Sequence, residues 1–403
     1  MSIQKIEGGT ITTPKGFLAG ATYAGLKTSG AGVLDLGILY SQAPCASAAL
    51  FTTNQIKSAS VLISKRHLAI GPARCVVVNS GCANAVTGEK GLADAAQMTS
   101  LAAAKAGLLP QQVVVASTGV IGVPLNMEKI EKGIPALSPS PQGGHDLARA
   151  IMTTDTRPKE VAMSLEIDGI PVIVAGVAKG AGMIHPQMAT MLCFLTTDAA
   201  VEAAFLRYAL NEAVDASFNM MTVDGDTSPN DTVVLLANGQ AGNRQIERDA
   251  ADAADFQAAL GQVCLHLAQA ILRDAEGATR LLQVMVSGAA TQTEARLAAR
   301  TIAASPLVKA AVHGGDPNWG RVVAAVGRSG AQVAPERIDL YLGSLCLLQG
   351  GSPTPFSPRE AAQLMAQKEV AFHLHLGLGS GEATAWGCDL SEGYVTINSA
   401  YTT

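Results

Sequence analysis

Short β-branched runs alternate along this chain with apolar stripes of helical spacing, and few architectures accommodate that alternation. Cys75-Val76-Val77-Val78 and Val113-Val114-Val115-Ala116 read as buried strands. Each ends in a glycine-containing turn, Asn79-Ser80-Gly81-Cys82 and Ser117-Thr118-Gly119-Val120. Residues 91–106 form an alanine-rich helix, stopped by Gly107 with Pro110 shortly beyond. After Thr197-Asp198, Leu206, Ala209, Leu210, Ala213 and Val214 fall at i, i+3, i+4, i+7 and i+8. Phe256, Leu260, Val263, Leu267 and Ile271 mark a third helix. Beyond residue 280 the pattern returns to strands, in the alternations Leu282/Val284/Val286, Ile338/Leu340/Leu342 and Phe372/Leu374/Leu376/Leu378. Thr291 to Glu294 and Ser357-Pro358-Arg359-Glu360 are helix-capping sequences. The expectation is an α/β chain with mixed or antiparallel sheets and a soft boundary near residue 280.

The 403 residues have room for two or three domains. With 48% hydrophobic and 15% charged residues the chain is globular rather than disordered. A net charge of −5 carries no basic footprint, so a nucleic-acid partner is not expected. The seven cysteines, Cys45, Cys75, Cys82, Cys193, Cys264, Cys346 and Cys388, are scattered and odd in number. That favours reduced thiols over a disulfide framework or a zinc site. Met1 to Gly9 contain no signal-peptide core, and no apolar run reaches membrane-spanning length. A soluble, cytoplasmic protein with no membrane partner is expected. His373 and His375 lie two apart on one strand face without a third ligand of suitable spacing, so no metal is expected. Phosphate-loop, metalloprotease and nucleophile-elbow motifs are absent, and Gly377 to Gly381 reads as a turn rather than a dinucleotide fingerprint. No cofactor is expected.

The most informative stretch is Lys179-Gly180-Ala181-Gly182-Met183-Ile184-His185-Pro186-Gln187-Met188-Ala189-Thr190-Met191-Leu192. A mid-chain threonine is an ordinary residue while its nitrogen is locked in an amide. Cutting Ala189–Thr190 would give Thr190 a free α-amine beside its hydroxyl, a nucleophile with its own general base. An α-amine titrates at roughly 7.7–8.0, so a useful fraction is neutral near neutrality. Thr118-Gly119, at the end of a β-run, is a candidate pair of oxyanion donors. Lys179, eleven positions before Thr190 in the same glycine loop, is a candidate anchor for a carboxylate.

This stretch resembles the self-cleaving junction of the ornithine acetyltransferase family, the glutamate N-acetyltransferases of arginine biosynthesis. Further blocks carry the resemblance along nearly the whole chain: Thr13-Pro14-Lys15-Gly16-Phe17, Phe51-Thr52-Thr53-Asn54, Thr222 to Ser228 with Asn230-Asp231-Thr232, Asp316-Pro317-Asn318-Trp319-Gly320-Arg321 and Thr384 to Leu390. Departures occur at His185-Pro186-Gln187, Cys82, Pro229 and His313-Gly314-Gly315, and none replaces a proposed catalytic group.

The resemblance implies an α/β/β/α sandwich domain over residues 1–280, cut between Ala189 and Thr190, and a smaller α/β domain over 281–403 whose C-terminal tail returns to the active site. It implies Thr190 as nucleophile, with Thr118 and Gly119 as oxyanion donors. It implies Thr153, Lys179, Thr190, Glu276, Asn398 and Thr403 as substrate contacts. Residues 394–403 keep β-formers to the end, and a docked β-like tail is expected. The implied reaction is ping-pong transfer of acetyl from N-acetylornithine to glutamate; some members also use acetyl-CoA. The two self-cleaved chains would associate as a dimer of heterodimers. Two alternatives stay open at this point: a related self-processing amidohydrolase or aminopeptidase, and an uncleaved, non-catalytic binding protein.

Overall fold

In the computed structural model, residues 3–27, 32–185 and 191–400 are described. Ala189, Thr190 and Thr403, and with them the cleavage junction, lie outside the described residues.

Three sheets organise the chain. A four-stranded sheet runs Phe17–Thr22, Leu36–Ser41, Cys75–Cys82, Val113–Val120, the last two strands parallel. A six-stranded sheet runs Gln4–Lys5, Lys159–Ile167, Ile170–Lys179, Leu192–Thr197, Thr232–Ala237, Ala46–Phe51. Only Leu192–Thr197 and Thr232–Ala237 pair parallel there.

The period-two geometry of a strand decides what lies between these sheets. Val76 and Val78, with Val114 and Ala116, meet Val177, Leu192, Phe194, Val234 and Leu236 in one buried cluster. Their sequence neighbours point the other way. Cys75, Val77, Val113 and Val115 pack against Met98, Ala102, Ile130 and Ile134 from the helices Gly88–Ala106 and Met127–Ala136. Cys193, Leu195, Val233 and Leu235 pack against Leu206, Leu210, Leu260 and Val263 from Ala203–Ala216 and Ala253–Arg273. The layers are therefore helix, sheet, sheet, helix. Strands buried on both faces are apolar where they cross this interior, which is why Cys75–Val78 and Val113–Ala116 read as unbroken runs, and the buried polar residues gather at the strand ends. Each fully buried Val, Leu or Phe side chain contributes about 1.5–3 kcal/mol through loss of apolar surface from water.

The seven-stranded sheet runs Met221–Thr222, Gly381–Cys388, Leu281–Ala289, Glu369–His375, Asp339–Leu342, Leu345–Gln349, Ser352–Pro353. Thr291 and Ser357 cap the helices Gln292–Ala303 and Pro358–Met365, each side chain accepting the backbone N–H three residues on. Among the described residues no helix is long and apolar enough to cross a membrane.

Several sequence expectations need correction. The strand predicted through Leu378 ends at His375, because Leu376 and Leu378 donate to the Ser287 and Gly288 carbonyls outside the ladder. The strands expected to stop at Val78 and Ala116 continue to Cys82 and Val120, paired across a register shift at Gly81/Cys82. Of residues 394–403, expected as a β-like tail, 394–400 belong to the helix Glu392–Ala400, and 401–403 lie outside the described residues. The polar contacts of that helix, Tyr394 to Asp224 and Asn398 to Glu276, lie four residues apart, on one side of it. Tertiary contacts outweigh β propensity there.

Candidate active site

The ends of Val113–Val120 and Ile170–Lys179 open onto a cleft of about 260 Å³. Thr118, Gly119, Thr153, Lys179, Asn230, Glu276, Tyr394 and Asn398 all lie on its wall. Gly119 sits at φ +130°, and a Cβ there would come 2.3 Å from the Gly81 carbonyl carbon. Glycine is thus required by close approach of two neighbouring strands at the point where the cleft begins. Across the cleft, Glu276 Oε2 accepts a hydrogen bond of 2.8 Å from Asn398 Nδ2. A Cβ on Gly182 would lie 2.4 Å from the same Glu276 oxygen, so the loop after Lys179 needs glycine to make room for this carboxylate. Asp224 holds that loop in place by accepting the amides of Met183 and Ile184 at 2.5 and 2.8 Å.

Lys179 is not the solvated loop lysine its glycine-rich neighbourhood suggests. It is the last residue of a strand and is 4% exposed. Its Nζ donates to Thr153 Oγ1 at 2.8 Å and to Thr118 Oγ1 at 3.3 Å. With that lone pair engaged, the Thr118 hydroxyl proton is free to donate into the cleft. Burial lowers the Lys179 pKa below that of an ordinary lysine, and the Asp155 and Glu276 charges oppose the shift. Asp155, fully buried, accepts from Lys159 Nζ at 2.5 Å, from the Gly180 amide at 2.8 Å and from the Thr153 amide at 3.0 Å. Lys159 also donates to Asp274 at 2.6 Å, which ties the network to the turn just before Glu276.

This network carries an acid-stability prediction. Burial alone would raise the Asp155 pKa; Lys179, Lys159 and the Gly180 amide more than offset that and hold it at about 2, below its ordinary 3.8. Its folded pKa is depressed, so its stabilisation is present above the ordinary value and is lost as pH falls towards 2. Thermal midpoints followed from neutrality to pH 2 should drop through that window. Asp155→Asn should lower the midpoint at neutral pH and flatten the acid limb; an unchanged acid limb would remove Asp155 from this role.

A model of the ArgJ family matches residues 18–403. The chain belongs to the ArgJ family. It is 53% identical over 402 residues to the arginine biosynthesis bifunctional protein ArgJ of Dehalococcoides mccartyi (strain CBDB1), covering 100% of this chain and 99% of that one. The protein of the same name from Symbiobacterium thermophilum is 54% identical over 397 residues, 98% of this chain and 99% of its own length. A crystal structure of the arginine biosynthesis bifunctional protein argJ from Bacillus halodurans aligns with TM-score 0.51 and 44% identity, over 52% of this chain and 98% of that chain.

In this ArgJ-family chain the sequence candidates Thr118, Gly119, Thr153, Lys179, Glu276 and Asn398 share one cleft, although Thr118 and Asn398 are 280 positions apart in sequence. Thr190 and Thr403 lie outside the described residues, but Met191, directly after Thr190, is buried and its amide donates to Asp231 Oδ1 at 3.0 Å. The family resemblance singled out Thr153 and passed over Asp155, two residues on. It also missed Asp224, Asn230, Asp231 and Tyr394, although the first three stand in blocks that resemble the family. They stand in polar, turn-like stretches of the sequence, where solvated side chains are the ordinary expectation, and only the fold shows which of them are buried. His373 and His375 lie elsewhere, both hydrogen-bonded to Ser287 Oγ, at 2.8 and 3.0 Å.

Proposed function

We propose that this ArgJ-family chain is an acyltransferase of arginine biosynthesis, moving the acetyl group of N2-acetyl-L-ornithine to L-glutamate through an acetyl ester on Thr190. The carrying observation is the convergence of Thr118, Gly119, Thr153, Lys179, Glu276 and Asn398 on one cleft. The relatives' shared name, with its arginine biosynthesis and its two functions, supports the pathway. Acetyl-CoA as a second acetyl donor belongs to the same proposal.

The chemistry begins with self-cleavage. Thr190 Oγ attacks the Ala189 carbonyl carbon, the amide C–N bond breaks, and the Thr190 nitrogen leaves as the new α-amine. Water then hydrolyses the Ala189 ester. This gives chains of 189 and 403 − 189 = 214 residues. The solved Bacillus halodurans chain, matched over 98% of its length by 52% of this one, supports a product of that size.

In the first half-reaction the α-amine takes the Thr190 hydroxyl proton as Oγ attacks the acetyl carbonyl. Thr118 and Gly119 stabilise the oxyanion, and ornithine leaves as the amide bond breaks and its nitrogen takes the proton. In the second, the amine of glutamate attacks the acetyl ester carbonyl, the C–Oγ bond breaks, and Thr190 Oγ regains through the α-amine the proton given up by the glutamate nitrogen as N-acetylglutamate leaves. Lys179 pairs with the α-carboxylate common to both amino acids, Thr153 supports it, and Glu276 suits the side-chain ammonium of ornithine. Residues 1–280 form the self-cleaved catalytic unit and 281–403 the smaller one, and Thr403 is a further substrate contact by the family resemblance. The two chains pair as a dimer of heterodimers in the cytoplasm.

The deciding experiment incubates purified protein with acetylornithine and labelled glutamate. Appearance of labelled N-acetylglutamate with stoichiometric ornithine supports transfer. Acetate and ornithine without N-acetylglutamate would mean that water deacylates the enzyme, and the chain would be an amidohydrolase.

A separate test concerns the C-terminal helix. Asn398→Ala removes a donor to Glu276, and deletion of Thr402 and Thr403 removes the residues after the helix. Both should raise the KM for acetylornithine while self-cleavage continues, since neither change alters the nucleophile or the oxyanion donors. Steady-state kinetics identical to the parent in correctly cleaved variants would show this end of the chain to be a bystander.

A further inference from the structure

Asn230 and Asp231 occupy the turn between the Asp224 loop and the strand Thr232–Ala237, and they face two different sheets. Asn230 is 5% exposed and lies on the cleft wall. Its Nδ2 donates to the Ser117 carbonyl at 2.8 Å and to the Ala83 carbonyl at 2.6 Å. Ser117 precedes Thr118 on the four-stranded sheet. Asp231 is 1% exposed, and its Oδ1 accepts the Met191 amide at 3.0 Å. Met191 leads into Leu192–Thr197 of the six-stranded sheet, where Thr232 pairs with Leu192. The dipeptide is itself held. Thr52 N donates to Asp231 O at 3.0 Å and Asn230 N to Ser228 Oγ at 3.1 Å, while Thr52 Oγ1 donates to Ser228 O at 2.6 Å.

The interior between these two sheets is apolar, and apolar contact is non-directional. It holds the sheets together without defining their lateral offset to a few tenths of an ångström. Hydrogen bonds from a rigid turn do define it. A further polar link at this end, Lys179 to Thr118, runs through a long side chain at 3.3 Å.

Building on the proposal that Thr190 is the nucleophile, we infer that Asn230 and Asp231 are positioning residues that set the offset between the Thr118–Gly119 strand end and the chain leaving Thr190. Asn230 supplies two donors and Asp231 one acceptor. Neither needs a charge. Burial pushes the Asp231 carboxyl well above the usual carboxylate range, against the Met191 amide, Lys179 and the Thr52 hydroxyl. A neutral amide therefore serves at 231, whereas a carboxylate at 230 would offer no donor and would confront two carbonyl oxygens.

The test uses the full chain bearing Asp231→Ala, Asp231→Asn, Asn230→Ala or Asn230→Asp. Two readouts are followed, acetyl transfer from acetylornithine to glutamate and the rate of fragment formation on a denaturing gel. Misplacement of a reacting atom by about 1 Å costs on the order of 10²-fold. Both alanine variants should lose kcat on that scale with little change in KM. Asp231→Asn should recover roughly tenfold over Asp231→Ala, the factor expected when a buried donor regains its acceptor. Asn230→Asp should stay as slow as Asn230→Ala. Alanine variants with the parent's kcat, a loss confined to KM, or Asp231→Asn as slow as Asp231→Ala would overturn the inference. If the alanine variants fail to fold, the two isosteric swaps decide: equal rates refute, and a faster Asp231→Asn supports. Parent protein that cleaves but does not transfer acetyl would sink the substrate assignment alone, and the gel readout would still judge Asn230 and Asp231.

Discussion

Thr190→Ala is expected to yield a single full-length chain with no acetyl transfer. The hydroxyl is the attacking atom in self-cleavage and again in both half-reactions, so one substitution removes every covalent step. Removal of an enzyme's nucleophile has cost on the order of 10⁶-fold elsewhere, the residue coming from binding and oxyanion stabilisation. The parent should run on a denaturing gel as two bands, of 189 and 214 residues, that co-elute under native conditions. N-terminal sequencing of the larger band should begin Thr-Met-Leu, as residues 190–192 do. Thr190→Ser keeps a hydroxyl and should still cleave. The variant's cleft should be otherwise intact, because Met191 stays bound to Asp231 through its backbone amide. A fully active parent that migrates as one uncut chain would sink the N-terminal threonine mechanism.

The second large effect is expected at Lys179→Met. This substitution keeps approximate volume and deletes the ammonium from a buried site. Three partners feel the loss. Thr153 and Thr118 lose the donor that orients their hydroxyls, and the Asp155 carboxylate loses one of its two compensating cations. Truncating one member of a desolvated charge pair typically costs 2–5 kcal/mol, so kcat/KM should fall by about 30- to 5000-fold for both acetylornithine and glutamate. Two controls separate the roles. A donor whose α-carboxylate is amidated should gain nothing from Lys179 if that residue is the carboxylate anchor. Normal discrimination between acid and amide by the variant would eliminate Lys179 as anchor and leave it as the residue that orients Thr118. Lys159 stays paired with Asp155 and Asp274, so the variant should fold.

Much of this molecule was legible in one dimension. The strands buried on both faces announce themselves as unbroken apolar runs, and the helix Ala203–Ala216 buries the five residues whose spacing marked it. Caps at Thr291 and Ser357 are local, a hydroxyl meeting an amide three residues on, so sequence suffices to find them. Thr118 and Lys179 stood out as candidates from their place beside glycines, and Glu276 only through the family resemblance; the fold brings all three to one cleft. What sequence could not determine is whatever depends on a partner far away along the chain. The burial of Lys179 arises from strands and loops brought over it by the sandwich. The helix at 392–400 meets the Asp224 and Glu276 carboxylates through Tyr394 and Asn398, contacts that no local pattern announces. The brace of Asn230 and Asp231 needs carbonyls and an amide from residues 83, 117 and 191. Local propensity and spacing act over a turn or a strand. Desolvation and hydrogen bonding across layers act only once the sheets are stacked, and they decide which polar residues do chemistry and which simply hold the chain.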